Sequence, residues 1–456
     1  MPAPDSANDN QDATVAGGSG RRPARRNVGA LPKDLPRIER VIEPEVTACP
    51  CCGGGLHRIG EDVSEALDII PAIIRVLRTV RPKYGCRACE GKIVQAPAPA
   101  RVVTGGMAST ALVAHVVTAR YAWHLPLYRQ CQMLAGQGIR LDRATLAHWI
   151  RRAAWWLRPL YEKLLAHIRA RPVVFYDETP LPRLDPGRGR TKTCQLWACA
   201  VDERPWQGPS APGVAYVYAE GRQTAEVERQ LARFSGILQV DGYQAYKALA
   251  KADRPAGPVR LAYCMAHARR KFVDAYTTTK SQVAREVIAR IGSLYAIEER
   301  ITGHPPEIRR AVRQAEAKPI LEALRPYLLA VQAQISAQAG LAGAIGYMLN
   351  HWEGLCAYLA DGRIAIDSNV VERSMRPIGI GRRNSLFAGS AAGGERWAVL
   401  ASLMSTAKLN GIDPQTYLHD VLERMVSGEV TINRLEELLP WAWKAARNGV
   451  LLEHAA

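Results

Sequence analysis

Pro172-Val173-Val174-Phe175-Tyr176-Asp177 marks the point where the chain's apolar pattern changes from helical spacing to a short continuous run closed by an acidic residue. A run of this length, entered at a proline, reads as a strand covered on both faces. Two more runs follow, Cys194–Val201 and Val214–Tyr218, joined through Pro- and Gly-rich turns. Three consecutive strands suggest an antiparallel meander. Thr224 then caps a helical pattern carried by Val227, Leu231 and Phe234. That pattern leads into Gly236–Val240, then Asp241-Gly242-Tyr243, and later into Val259–Tyr263 and another helix. The predicted order is βββαβαβ, a mixed sheet with helices on its faces.

That order is the ribonuclease H-like topology. The expected fold class is therefore α+β and multidomain: a ribonuclease H-like mixed sheet core with an all-helical insertion, an N-terminal zinc-binding module and a helical DNA-binding region. The core divides into residues 171–280 and 361–410, separated by a helical insertion at 281–360 with breaks at Pro305-Pro306 and Pro319. In the second part, Asp367-Ser-Asn-Val-Val-Glu372-Arg-Ser-Met-Arg376-Pro377 reads as a capped helix, followed by a Gly- and Arg-rich loop, Gly379–Ser390, and a helix at 394–409. Residues 411–456 form a helical tail.

Upstream, residues 101–170 carry helical patterns at 107–121, from Pro126 to Leu134, and from Asp142, which is placed to cap the third. The break at Gly136-Gln137-Gly138 gives helix, turn, helix, the geometry of a DNA reader or of an ordinary bundle. Residues 46–100 contain two C-x-x-C knuckles, Cys49 with Cys52 and Cys86 with Cys89. Four thiolates make a closed tetrahedral site for a structural Zn2+. The apolar–polar alternation around Ile73–Thr79 predicts a hairpin that brings the knuckles together, although the interval exceeds the roughly 15–20 residues of a simple zinc ribbon. Residues 1–45, with Arg21-Arg22 and Arg25-Arg26, have too few apolar positions to repay ordering and read as a basic disordered arm.

The 456 residues carry a formal net charge of +17. Such a balance points to a polyanionic partner, nucleic acid first and a membrane surface second. No apolar run approaches the roughly 18–20 residues of a spanning helix, and no signal-peptide core is present, so a cytoplasmic protein is expected. The ten cysteines give no disulfide density.

Asp177, Asp241 and Glu372 are the candidate catalytic residues. Cleaving a phosphodiester requires an activated nucleophile on one side of phosphorus and a stabilised leaving oxygen on the other; two magnesium ions about 3.5–4 Å apart serve both. Asp177 can bridge the metals while Asp241 and Glu372 each complete one. Taken singly, each has a plainer reading: a strand end, a turn residue beside Gly242, an ion pair with Arg373 and Arg376. Arg373, Arg376, Arg382 and Arg383 offer forks for phosphate oxygens. Arg269-Arg270-Lys271 adds a second basic run, and Cys264 and His267 just before it are candidates for a site-adjacent metal or phosphate contact, or for a structural role.

At these residues the chain resembles the insertion-sequence-66 family of bacterial DDE transposases. The matching stretches are Cys49–Gly53, Ile59–Glu65, Arg81–Cys86, Tyr176–Thr179, Asp241–Tyr243, Cys264–Phe272, Asn369–Arg373, Phe387–Ser390 and Asn410–Pro414, collinear from about residue 30 to 425. The resemblance implies that Asp177, Asp241 and Glu372 form the catalytic triad on two Mg2+ or Mn2+ ions, with Cys49, Cys52, Cys86 and Cys89 as zinc ligands. It implies cleavage of transposon ends and joining of the freed 3′-hydroxyl to target DNA. The implied partners are end inverted repeats, target DNA, further copies of the chain on DNA and accessory proteins of the same element, in a nucleoid-associated cytoplasmic setting. Family members usually carry a coiled-coil-like segment before the basic stretch, whereas this chain begins almost at that stretch. Two other readings remain open: a zinc-containing DNA-binding protein or inactive transposase remnant without metal chemistry, and a stand-alone nuclease on the same core.

Overall fold

The protein is described by a computed structural model covering residues 74–85, 93–251 and 253–453, together with Glu39, Val41, Cys51, Cys52 and Gly54. The chain divides into two compact units, Met1–Val76 and Leu77–Ala456. The second opens with a small antiparallel hairpin, β1 (Lys83–Gly85) on β2 (Ile93–Gln95). Three helices follow: α1 (Thr110–Tyr121), α2 (Leu127–Gly136) and α3 (Arg143–Arg169). Then come β3 (Val173–Asp185), β4 (Arg190–Val201), β5 (Gly213–Ala219), α4 (Thr224–Gln230), β6 (Gly236–Val240), β7 (Val259–Tyr263) and α5 (Met265–Thr279).

These strands form one sheet in the order β5-β4-β3-β6-β7, antiparallel across β5-β4-β3 and parallel across β3-β6-β7. A four-residue turn at 186–189 joins β3 to β4, and Gly187 and Gly189 there take the positive φ values that favour glycine. A parallel neighbour cannot be reached by so short a turn, so α4 provides the crossover from β5 to β6. The class is α+β with a mixed sheet. Neighbouring residues on one strand enter different cores: Val174 and Leu238 pack with α3 and the C-terminal helices, while Val173 and Ile237 pack with α5 and the helices after it. The period-two geometry of a strand sends them to opposite faces, so both faces are covered.

The chain continues through α6 (Gln282–Ile301), α7 (Pro306–Val312), a π turn at Arg313–Ala317, α8 (Lys318–Gln334), α9 (Gly340–Asn350) and α10 (Trp352–Cys356). It then returns as α11 (Asn369–Ser385), α12 (Ala391–Leu409), α13 (Pro414–Val426) and α14 (Pro440–Glu453). A buried ionic group ties the helices after α5 to the segment that leads back. Arg313, fully buried, donates to both carboxylate oxygens of Glu298 at 2.7 Å and to the carbonyls of Tyr358 and Asp361 at 2.8 and 3.1 Å. Among the described residues, no helix is long and apolar enough to cross a membrane.

Several expectations change. The predicted βββαβαβ order loses its second α-helix: β6 and β7 are joined through the short 3-10 helix Gln244–Ala250, and the next α-helix, α5, follows β7. Asp177 is not the end of its strand: β3 runs on to Asp185, because the residues beyond Asp177 pair with β4 in a polar hairpin that has no apolar period to announce it. Pro319 is no break: the helical backbone runs from α7 through the π turn at Arg313–Ala317 directly into α8, and the π turn just before Pro319 is where the missing N–H is accommodated. Residues 74–80 form no strand, and Val76 is 93% exposed; the hairpin lies at β1 and β2 instead and brackets Cys86 and Cys89 in sequence. Arg382 and Arg383 lie on α11 rather than in a loop, because the helix passes through Pro377 and ends at Ser385. Gly381 is needed there for packing, as a Cβ would sit 2.9 Å from the Trp397 ring. Asp142 stands at the start of α3 without a side-chain capping bond, and Gln223 rather than Thr224 precedes α4.

Candidate active site

The parallel ladder of β3 and β6 ends with Phe175 opposite Gln239. Asp177, still within β3, and Asp241, just past β6, each lie two residues further along, so they stand at equivalent positions on adjacent strands, and parallel neighbours are about 4.8 Å apart. Asp241 is held in a tight turn: Tyr243 N–H donates to its Oδ1 at 2.9 Å, and the Tyr347 hydroxyl of α9 donates to its carbonyl at 2.6 Å. Gly242 permits that approach. Its φ is +98°, and a Cβ would lie 3.0 Å from Tyr347 Oη and 3.1 Å from His351 Nε2.

Glu372 reaches the same edge because the returning segment is laced to the sheet. Gln239 is buried mid-strand, and its amide donates to the Ala365 carbonyl and accepts from the Ala365 N–H, both at 2.9 Å. Met265 N–H donates to the Ile366 carbonyl at 3.0 Å, and Ser368 N–H donates to Cys264 Sγ at 3.3 Å. Asp367 accepts from Asn369 N–H at 3.1 Å and from the Tyr295 hydroxyl at 3.0 Å, which orients the start of α11. Glu372 then falls in the first helical turn, where its charge is favoured by the helix dipole. Its Oε1 accepts from Ser368 Oγ at 3.2 Å and lies 3.5 Å from His267 Nδ1, while Oε2 lies 3.9 Å from Arg270 Nη2. Gln239→Ala strips both partners from Ala365 and is expected to cost roughly 2–3 kcal/mol in a urea titration and to slow any cleavage on the order of 10²-fold. Unchanged stability and rate would remove Gln239 from the positioning of Glu372.

Burial pushes Asp177 up to about 7, and the like charges of Asp241, Glu178 and Glu372 add to it, against the Glu178 N–H that donates to its Oδ1. Burial also raises Glu178, which accepts from the Tyr246 hydroxyl at 2.9 Å, and Asp367. For Asp177 the folded state holds its proton more tightly than the unfolded chain, so its contribution is least unfavourable below about pH 4 and worsens as pH rises to about 7. Asp177→Asn should therefore stabilise the protein at pH 8 in magnesium-free buffer by on the order of 2–4 kcal/mol, with the gain vanishing toward pH 4. Thermal melts at the two pH values measure this, and a gain that does not change with pH would contradict it.

Crowded carboxylates are a donor set that a hard divalent cation would neutralise. Among the described residues, the three carboxylates do not all come within 4.8 Å of one another, the spacing of a ligand group around one ion; the trio that does is Cys264, His267 and Glu372. Two ions about 3.5–4 Å apart, bridged by one carboxylate, span a wider set.

Arg269, Arg270, Lys271, Arg373, Arg376 and Arg383 are exposed, whereas Arg382 is half-buried and donates to the Pro180 carbonyl at 2.5 Å. Lys271 lies 4.7 Å from the Tyr347 ring, which connects the basic run to the Asp241 turn. Of the knuckle residues, Cys52 is exposed, and Cys49, Cys86 and Cys89 lie outside the described residues. Sequence reasoning missed Gln239, Tyr347 and Tyr295. A polar residue inside the apolar run Gly236–Val240 was a signal for the first; nothing local marks the other two.

The family model described as "Transposase IS66 family" matches residues 105–396, that of the "zinc-finger binding domain of transposase IS66" matches 47–90, and the "IS66 C-terminal element" matches 402–441. Similar proteins occur in Sinorhizobium fredii. Uncharacterized protein y4jD is 57% identical over 98% of this chain and 88% of its own length, and uncharacterized protein y4qI is 42% identical over 94% and 80%. With its central region, zinc-finger segment and C-terminal element all matched in order, the chain belongs to the Transposase IS66 family.

Proposed function

We propose that the chain cleaves transposon DNA ends and transfers the freed 3′-hydroxyl strand into target DNA, with Asp177, Asp241 and Glu372 as the catalytic triad. The observation that carries this reading is the convergence of register-matched Asp177 and Asp241 with a Glu372 that the Gln239–Ala365 clamp returns to the same sheet edge. The strand order, two antiparallel pairings followed by two parallel ones, supports a ribonuclease H-like core. Asp177, Asp241 and Glu372 would hold a pair of Mg2+ or Mn2+ ions. Such a pair, when bound, activates the attacking oxygen and stabilises the leaving one in an in-line displacement.

The chain's own residues orient the DNA. Arg270 lies beside Glu372, and Arg269, Lys271, Arg373, Arg376 and Arg383 present exposed charge on the same two helices, α5 and α11, to which phosphates would be drawn. Arg382, bound to Pro180, steadies α11 and keeps further donors for phosphate. Cys49, Cys52, Cys86 and Cys89 would hold the structural Zn2+ of the N-terminal module, and α2 with the exposed start of α3 would add contacts to the ends.

Incubating the protein with magnesium and paired end DNA, and resolving the products on a sequencing gel, tests the proposal. Strand-joined products are expected. Hydrolysis without joining would indicate a stand-alone nuclease, and DNA binding without any cleavage would indicate a non-enzymatic DNA-binding protein.

A further inference from the structure

Glu372 Oε1 is turned toward Cys264 and His267, and that arrangement fits a second class of ion. Cys264 precedes the first residue of α5 and His267 lies one turn in, so the helix brings both to one side. The Sγ, imidazole and carboxylate ligand atoms all lie within 4.8 Å of one another. Cys264 Sγ is 3.9 Å and His267 Nδ1 3.5 Å from Glu372 Oε1. In a tetrahedral zinc site, bond lengths near 2.0–2.3 Å put neighbouring ligand atoms about 3.4–3.6 Å apart. The two spacings to Glu372 need at most a few tenths of an ångström of closure, and the Cys264–His267 pair lies within 4.8 Å.

Two further features point to an ion. His267 Nδ1 is buried and makes no hydrogen bond, despite its closeness to Glu372. A buried nitrogen left unpaired is costly, and a metal would satisfy it. Cys264 Sγ already receives the Ser368 N–H, the kind of outer contact that orients a thiolate ligand. Thiolate and imidazole donors select zinc over magnesium, which takes oxygen.

We propose that Cys264, His267 and Glu372 bind a zinc-class divalent cation, separate from the Cys49–Cys89 knuckles, and that this ion competes with the magnesium pair for Glu372. The fourth position is left to water or substrate. Binding replaces the Cys264 S–H bond with a metal–sulfur bond and releases that proton to solvent. The site stands on its own geometry; only the competition rests on the function proposed above.

The test is zinc stoichiometry on the full chain, by elemental analysis after loading and desalting, with Co2+ as a spectroscopic probe. Wild type should retain one more equivalent than Cys264→Ser or His267→Ala, and its cobalt spectrum should contain a component that both variants lack. Glu372→Gln should weaken the extra equivalent by at least about tenfold, since even outer contacts of metal ligands are worth that much. Equal zinc content and equal cobalt spectra in wild type and His267→Ala would overturn the site; His267 is not deeply buried, so this variant decides the matter even if Cys264→Ser misfolds. Millimolar magnesium should weaken the extra equivalent in wild type. If it does not, the sharing of Glu372 is overturned while the zinc site stands.

Discussion

Asp241→Ala is expected to lower magnesium-dependent cleavage of end DNA by on the order of 10³-fold or more, a loss comparable to or above that of a single transition-state contact. DNA affinity should stay nearly unchanged, because binding is carried by lysine and arginine contacts to phosphate whose salt dependence Asp241 does not enter. Single-turnover cleavage and salt-dependent gel shifts measure the two sides. The alanine also removes the acceptor for Tyr243 N–H, which shapes the turn. Asp241→Asn keeps an oxygen at that position and discards only the charge, so it should lose cleavage equally. An active asparagine variant beside an inactive alanine variant would make Asp241 a turn residue, and cleavage surviving both changes would remove it from the site.

Glu298→Ala is expected to cost about 3–5 kcal/mol, the usual penalty for stripping the partner from buried charge. Arg309 and Arg313 both pair with Glu298, and their side chains are 3% and 0% exposed. Burial first, and then the charge of Arg313, already brings Arg309 down to about 10, with Glu298 opposing the shift. Without the carboxylate two buried guanidiniums would be left with backbone carbonyls as their partners and no opposite charge. The effect should extend to the site, because Arg313 also holds the carbonyls of Tyr358 and Asp361, just before the Ala365 clamp and the Glu372 helix. Urea denaturation and the cleavage rate should therefore fall together. A loss below about 1 kcal/mol, the worth of an exposed pair, would show that the network is not acting as a buried one.

The strands most legible in sequence were those covered on both faces, since burial on both sides turns a strand into a continuous apolar run. Cys194–Val201 is such a run, and seven of its eight residues are apolar. The same rule hid the outer half of β3: Glu178 to Asp185 pairs with β4 through backbone hydrogen bonds, which leave no mark in side-chain polarity. Pro377 pointed to an early end for α11, yet the helix persists because its packing against the sheet and Trp397 outweighs the lost bond. At the site, Asp177, Asp241 and Glu372 could be picked out by residue type and by their places beside strands and a helix start. The orientation of Glu372 could not be read that way.

By itself the sequence determined the strand order along the chain, the basic charge and the acidic residues available for metal chemistry, but it placed an α-helix between β6 and β7 where only the 3-10 segment Gln244–Ala250 lies. Each of those three is set by residue identity within a few positions: apolar period, Pro and Gly punctuation, and formal charge. Only the tertiary structure decided that Gln239 grips Ala365, that Tyr347 braces the Asp241 turn, that Glu298 neutralises two buried arginines, and that Glu372 Oε1 faces Cys264 and His267. Most of these join residues far apart in the chain. A buried polar group must find a partner, but which partner depends on how helices and strands pack, and local periodicity carries no record of that choice.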